Sequence, residues 1–151
     1  MVMTNELGKT LEMLGRAARA ATDEWWLIGS AAVVLHGGHV PHVNDVDLMM
    51  SARDADEFLR RAGAESGGVE PSERFQSAVF GIWNTPSVPV EVFGGFKLAR
   101  GGTWREVSFS TREPINVGNE IVYVPSAAEL VRLLHSFGRM KDLERAKLLS
   151  G

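Results

Sequence analysis

Two acidic residues interrupt an otherwise apolar run over residues 45–50, which read Asp-Val-Asp-Leu-Met-Met. Side chains on a strand alternate between its two faces, so Asp45 and Asp47 point to the same side. Holding two carboxylates about 4 Å apart costs about 1 kcal/mol in water and about 4 kcal/mol at an effective dielectric of about 20. Two acids on a mostly buried strand are therefore expected to have a function, and a divalent cation bound between them would remove the repulsion. Oxygen ligands suit Mg²⁺ or Mn²⁺. A solvated strand edge is the alternative interpretation of this pair.

A strand-to-helix turn precedes the acidic strand. The apolar run Trp25–Ile28 breaks at Gly29 and Ser30, and a short helix is predicted over residues 31–36, ended by two glycines. Glycine allows the backbone to turn sharply between a strand and a helix. The free N–H groups and the positive end of a helix dipole suit a phosphate, and Ser30 adds a hydroxyl donor. Ser30 acting only as a helix cap is the alternative.

A third carboxylate, Glu91, lies inside the run Val88–Phe93, which is otherwise β-branched, aromatic and proline. If this strand pairs beside the strand that carries Asp45 and Asp47, the acids form a cluster of three carboxylates. Such a cluster can hold two metal ions for an in-line attack at phosphorus, and one of its members could take the proton of an acceptor hydroxyl. The alternative is a residue on an exposed strand face.

The remaining patterns predict an α+β domain with a mixed β-sheet flanked by helices and with helices at its C-terminal end. Thr4 is expected to cap a first helix whose apolar face is Leu7, Leu11, Leu14 and Ala18. Ser51 is expected to cap a second helix that runs to about Ala62. The 151 residues fit one domain, 1–151.

The second half of the chain is predicted to hold more strands than helices. Strands are expected over 78–83 and 88–93, with shorter ones near 104–109 and 120–124. Residues 94–103 contain four glycines and are expected to form a mobile loop. Ser126 and Glu129 form a capping-box pattern before a helix whose shared face is Leu130, Val131, Leu134 and Phe137, and a last helix is expected over 141–149.

Composition excludes several classes of site. The chain has no cysteine, so disulfides, thiolate zinc sites and cysteine nucleophiles are excluded. Its net charge of −3 gives no overall basic footprint for a polyanion. No stretch has the roughly 20 apolar residues that a membrane span needs, and we expect no membrane association and a cytoplasmic location.

Two other groups of residues were considered as sites. His36, His39 and His42 could ligate zinc or nickel, but we expect His36 to pack at the end of a helix and the other two to be exposed. Trp83 or Trp104, if it faced solvent, could stack on a nucleobase.

The order of strand, Gly-Ser turn, helix, loop and D-x-D strand resembles the signature of the nucleotidyltransferase superfamily, which has the DNA-polymerase-β-like fold. The segments LIGSAAVVLHG and NDVDLMM resemble small bacterial members, namely minimal nucleotidyltransferases and nucleotidyltransferase-like toxins of abortive-infection systems. The segment PSAAELVRLLHSFGRMKDLERAKLL resembles the helical end of those proteins.

The resemblance implies roles for six residues. Gly29, Ser30 and Lys141 would bind the nucleotide phosphates, and the carboxylates Asp45, Asp47 and Glu91 would hold Mg²⁺ (or Mn²⁺) and carry catalysis. The reaction implied is transfer of a nucleoside monophosphate from an NTP, with ATP expected first, to a hydroxyl acceptor. The acceptor would be a small molecule, a tRNA or a protein, and a homodimer or a partner protein could complete its site.

Three positions depart from the family pattern. Relatives often carry a lysine where Leu134 stands, and an acid where Arg145 stands, and Glu91 replaces the more usual aspartate. These departures leave open a second interpretation, in which the chain is a binding or regulatory protein of the same fold without turnover, as in a toxin–antitoxin pair.

Overall fold

The computed structural model describes residues 4–67 and 72–150. The helices are α1 (Asn5–Ala17), α2 (Gly29–Leu35), α3 (Ala52–Arg61), α4 (Ala127–Phe137) and α5 (Met140–Ser150), with a 3₁₀ turn at Ala18–Ala20. The strands are β1 (Trp26–Ile28), β2 (Val46–Met50), β3 (Phe75–Gln76), β4 (Val79–Trp83), β5 (Val90–Gly94), β6 (Lys97–Arg100), β7 (Thr103–Glu106), β8 (Glu113–Val117) and β9 (Glu120–Val124). The predicted α+β class with C-terminal helices is confirmed.

The central sheet has the strand order β1-β2-β5-β4. β2 runs antiparallel to β1 and parallel to β5, and β5 runs antiparallel to β4, so the sheet is mixed as predicted. β2 and β5 are the two inner strands, and Val46, Leu48, Val90 and Val92 are fully buried. This arrangement places the acidic strand beside the strand that carries Glu91.

Three helices begin where the sequence predicted a capping side chain. The Thr4 hydroxyl accepts a hydrogen bond from the Leu7 N–H at 3.2 Å, and the apolar face of α1 is buried. The Ser51 hydroxyl accepts from the Asp54 N–H at 3.3 Å at the start of α3. Asp54 is itself buried, and its carboxylate accepts from the backbone N–H groups of residues 22 and 23. It thereby fixes the chain segment that leads into β1.

The capping box at the start of α4 is only half formed. The Ser126 hydroxyl accepts from the Glu129 N–H at 3.2 Å, as predicted. The Glu129 carboxylate does not return to Ser126; it accepts from the Ser110 and Thr111 N–H groups at 3.0 and 2.8 Å. The segment before β8 lies against α4 and offers donors that no local pattern shows. On α4 itself, Leu133 is buried and Val131 is only half-buried.

The prediction of a loop over residues 94–103 was wrong. β6 and β7 form an antiparallel hairpin whose two-residue turn is Gly101-Gly102, with φ of 55° and 80°. Positive φ at both central positions is what the common two-residue hairpin turns with right-handed twist require, and glycine adopts it without strain. The glycines therefore connect two strands. The sequence also did not predict β3, which pairs with β6 in a second sheet, or β8, which pairs with β9 in a third.

Across residues 4–67 and 72–150, no helix combines the length and the apolar character that a membrane-spanning segment needs.

Candidate active site

The register of β2 and β5 brings three acidic side chains together. Asp47 is the direct neighbour of Glu91 in this parallel pair, and Asp45 directly precedes β2, two residues before Asp47. One carboxylate oxygen from each of the three lies within 4.8 Å of the others. We refer to Asp45, Asp47 and Glu91 as the acidic triad. All three side chains are partly exposed, so the triad opens to solvent.

Gly29 places the turn after β1 directly against the triad. Ile28 pairs with Asp47 across β1 and β2, and Gly29 follows with a φ of 70°, in the left-handed region. A Cβ at Gly29 would overlap the Oδ2 of Asp47 and would lie 3.3 Å from its Cγ. Glycine is therefore needed here for its conformation and for the close approach of the backbone to a carboxylate.

The neighbouring carboxylates help to raise the pKa values of Asp47 and Glu91. Burial, followed by the charges of Asp45 and Glu91, raises the pKa of Asp47 well above its ordinary value of 3.8. Burial and the charge of Asp45 raise the pKa of Glu91. The Lys141 charge lowers both pKa values but does not offset the other causes. Closely spaced hard oxygen donors with unbalanced negative charge fit a divalent cation such as Mg²⁺ or Mn²⁺.

Two cations on α5 face this site. Lys141 lies close enough to act electrostatically on Asp47 and Glu91. Arg145, four residues later on the same helix face, donates a hydrogen bond from Nε to the Ser30 hydroxyl at 3.2 Å. α2 has only seven residues, so we assign the positive charge beside Ser30 to these side chains and not to the helix dipole.

In the sequence, Arg145 stands out as a departure from the family pattern, and it is one of several basic residues near the end of the chain that could meet a triphosphate. The structure places it beside Ser30, one of the residues predicted to bind phosphate. The four-residue spacing of Lys141 and Arg145 on a predicted helix was the available signal, since such residues share a face. Leu134, another of the three departures, is buried in the core at 1% exposure.

Asp142 holds a neighbouring arginine and is not part of the triad. Its buried carboxylate accepts from the Arg139 backbone N–H at 3.2 Å and from the Arg139 side chain at 2.6 and 3.1 Å. The Arg139 guanidinium in turn lies 5.2 Å from the ring centre of Phe75 and 5.7 Å from that of Phe137. Asp142 thus caps the start of α5 and orients a cation at the edge of the site.

A cavity of about 250 Å³ adjoins the triad. The triad, Arg139 and Lys141 line one part of it, and a cluster of five aromatic rings lines most of the rest, together with Ile28, Ser72, Gln76 and Ser77. This phenylalanine cluster consists of Phe75, Phe80, Phe93, Phe96 and Phe137. No pattern in the sequence predicts this cluster, because the rings come from separate elements and none stands out in its own segment.

The other residues considered from sequence lie elsewhere. Trp83 is buried and packs edge-on against Phe58, and Trp104 is exposed on β7; neither lines the cavity. His36 pairs through Nε2 with the Pro125 carbonyl at 2.7 Å, while His39 and His42 are exposed. Within residues 4–67 and 72–150, the acidic triad is the one group of three side chains that meets the spacing of a metal site.

No protein-family model and no curated protein matches the sequence. Solved structures do match. A candidate nucleotidyltransferase from Thermotoga maritima, TM1012, aligns with a TM-score of 0.80 at 19% identity, over 97% of this chain and 93% of that one. The lincosamide antibiotic adenylyltransferase LnuA, solved with lincomycin, gives 0.61 at 16% identity, over 99% and 98%. The antibiotic-resistance factor ANT(2'')-Ia gives 0.62 at 11% identity, over 97% and 84%. The chain therefore has the nucleotidyltransferase fold.

Proposed function

We propose that the chain is a divalent-metal-dependent nucleotidyltransferase that moves a nucleoside monophosphate from an NTP to a hydroxyl acceptor. The observation that carries this proposal is the convergence of three carboxylates within 4.8 Å, directly against Gly29 and with two cations of α5 beside them. The fold is shared with adenylyltransferases such as LnuA, so ATP is the first donor to test.

The proposed step is an in-line displacement at the α-phosphorus. The acceptor oxygen forms a bond to that phosphorus, and the bond to the α–β bridging oxygen breaks, so that pyrophosphate leaves with the electron pair. The acceptor proton passes to a carboxylate of the triad, for which Glu91 is the candidate because it shares a face of β5 with Phe93, which also lines the cavity. A divalent ion held by the triad would supply charge neutralisation for the triphosphate.

The chain's own residues would bind and orient the nucleotide. The backbone at Gly29 has no side chain to keep a phosphate away, and the Ser30 hydroxyl can donate to a phosphate oxygen. Lys141 and Arg145 would contact the same phosphates from α5, since each presents several donors and a full positive charge. We assign the pyrophosphate leaving group to this Gly29-Ser30 side of the triad.

Mg²⁺ together with one NTP should raise the melting temperature of the protein. A ligand at about 100 times its dissociation constant stabilises the folded state by about 2.7 kcal/mol. For a chain of this length, that corresponds to a shift of about 5–10 °C. Thermal melts with each of the four NTPs, with Mg²⁺ and with Mn²⁺, measure this directly. The variant Asp45→Asn/Asp47→Asn is the control and should show no shift.

The absence of a shift with every nucleotide and both ions would contradict the proposal. A shift in the melting temperature without pyrophosphate release, over a broad set of hydroxyl acceptors, would instead support a binding protein of the same fold.

Arg145→Ala should weaken the binding of Mg²⁺-ATP by about 10- to 100-fold, because a charge-assisted hydrogen bond contributes about 1.5–3 kcal/mol. Arg145→Lys should recover part of the loss. Isothermal titration calorimetry gives the dissociation constants. The control is Lys147→Ala, which removes the same charge from an exposed position on α5. Equal losses for the two alanine variants would mean that only net charge matters and that Arg145 has no contact with the nucleotide.

A further inference from the structure

The phenylalanine cluster lies across the triad from the Gly29-Ser30 turn. That turn follows β1, at one edge of the central sheet, and the triad lies at β2 and β5. Phe93 shares the face of β5 with Glu91, two residues away, and Phe80 is its cross-strand neighbour on β4, with ring centres 5.1 Å apart. The cavity therefore extends toward the opposite edge of the sheet.

This placement identifies which substrate the cavity faces, given the proposed function. In an in-line displacement the attacking oxygen and the leaving oxygen lie on opposite sides of the phosphorus. If pyrophosphate leaves on the Gly29-Ser30 side, the acceptor oxygen must enter from the side of the phenylalanine cluster. Glu91 is the triad carboxylate on the same strand as Phe93 of this cluster, so it is the one that we assign to receive the acceptor proton.

The chemistry of the cavity wall restricts the acceptor. The rings form a continuous surface, with Phe75 5.0 Å from Phe137 and Phe93 5.2 Å from Phe96 between ring centres. A polyol placed against this surface would lose hydrogen bonds with water and regain few. Among the lining residues that the structure describes, polar partners are limited to Ser72, Gln76 and Ser77 apart from the charged groups.

The charges of the cavity disfavour a cationic acceptor. Arg139 and Lys141 lie at its edge, and the Arg139 guanidinium already covers the faces of Phe75 and Phe137. In the described part of the chain, every carboxylate that lines the cavity belongs to the triad. Because those carboxylates would be engaged by metal, they would be less available to neutralise a polyamine, which Arg139 and Lys141 would also repel.

The volume of the cavity limits the size of the apolar part of the acceptor. An apolar cavity of about 150 Å³ accommodates benzene, and this cavity has about 250 Å³. We propose that the acceptor is a neutral small-molecule alcohol or phenol with an apolar body of about one ring, bound in the phenylalanine cluster with its hydroxyl toward Glu91.

The test compares three acceptors of different chemistry on the wild-type protein. The probes are 3-phenylpropan-1-ol as the neutral aryl alcohol, glycerol as the polyol and a polyamino-cyclitol as the polycation. Binding is measured by ligand-observed NMR in the presence of Mg²⁺ and the non-cleavable α,β-methylene analogue of ATP. We expect the aryl alcohol to bind at least about tenfold more tightly than the other two, and to give the largest pyrophosphate release with Mg²⁺-ATP.

Variants test whether the aryl alcohol binds in the phenylalanine cluster. Phe93→Leu removes a ring, and Ser77→Trp fills the cavity; each should weaken aryl-alcohol binding at least about tenfold and change the affinity for the ATP analogue by less than about twofold. Phe109→Leu is the matched control, because Phe109 packs against Trp26 outside the cavity and should affect neither affinity.

Two results would overturn the proposal while leaving the proposed function intact. One is tighter binding of glycerol or of the polyamino-cyclitol than of the aryl alcohol. The other is that Phe93→Leu and Ser77→Trp weaken binding of the ATP analogue as much as they weaken binding of the aryl alcohol. That result would show that the nucleobase occupies the cavity. Failure of the wild-type protein to bind the ATP analogue would instead overturn the proposed function, and this proposal with it.

Discussion

Replacing Asp45 and Asp47 together with asparagine should lower the rate of pyrophosphate release by at least about 10³-fold. A catalytic metal supplies several kcal/mol of transition-state stabilisation, and each 1.36 kcal/mol is about a factor of ten in rate. Neutral amides replace two of the three clustered carboxylates, so the cation loses most of its counter-charge. Rates measured with Mg²⁺-ATP and saturating acceptor give the loss. Asp56→Asn on α3 is the control, since Asp56 is exposed, pairs with Arg60 and is not part of the triad.

The same double variant should remain folded and should be at least as stable as the wild type when metal is removed with EDTA. Asparagine removes the repulsion that, with burial, raises the pKa of Asp47. A raised pKa of an acid means that the folded state binds the proton more tightly than the unfolded state. That stabilisation is complete below the ordinary pKa of 3.8 and is lost as the pH rises through the folded-state pKa.

In the metal-free wild type, the contribution of Asp47 to the free energy of unfolding should therefore fall as the pH rises above 3.8, so the difference in stability should move in favour of the double variant with rising pH. Urea denaturation at a series of pH values measures both curves. A double variant that is much less stable than the wild type at neutral pH would show that the two aspartates hold the fold together, and would contradict their assignment as metal ligands.

Gly29→Ala should cause the second large loss of pyrophosphate release. A non-glycine residue in the left-handed region costs about 1–2 kcal/mol, and Gly29 has a φ of 70°. The added Cβ would also overlap the Oδ2 of Asp47, so the carboxylate must move. A displacement of about 1 Å at a reacting centre can cost about 10²-fold in rate. We expect both a lower melting temperature and a loss of pyrophosphate release of at least that size.

Gly8→Ala provides the matched control for Gly29→Ala. Gly8 lies within α1, and a Cβ there would meet nothing within 4 Å. Alanine in a helix interior is more stable than glycine by about 1 kcal/mol, so this variant should melt at a higher temperature with unchanged activity. Nucleotide binding by Gly29→Ala equal to that of the wild type would show that the turn after β1 does not contact the phosphates.

Local features of this protein followed from consecutive residues. The two-residue period of a strand places Asp45 and Asp47 on one face whatever the strand's neighbours are. The capping hydroxyls of Thr4, Ser51 and Ser126 act on N–H groups three residues away, so the starts of α1, α3 and α4 could be predicted. The signature of the nucleotidyltransferase fold could likewise be recognised from short segments of consecutive residues.

Tertiary structure decided which residues these features contact. Glu91 joins the triad only because β5 pairs in parallel with β2 in this register, and a shift of one residue would turn its side chain to the other face. The hydrogen bond from Arg145 to Ser30 spans 115 residues, and the phenylalanine cluster combines rings from β3, β4, β5, the segment before β6 and α4. Strand order and helix docking depend on how apolar faces pack over the whole chain, and no periodicity within a single segment records that packing.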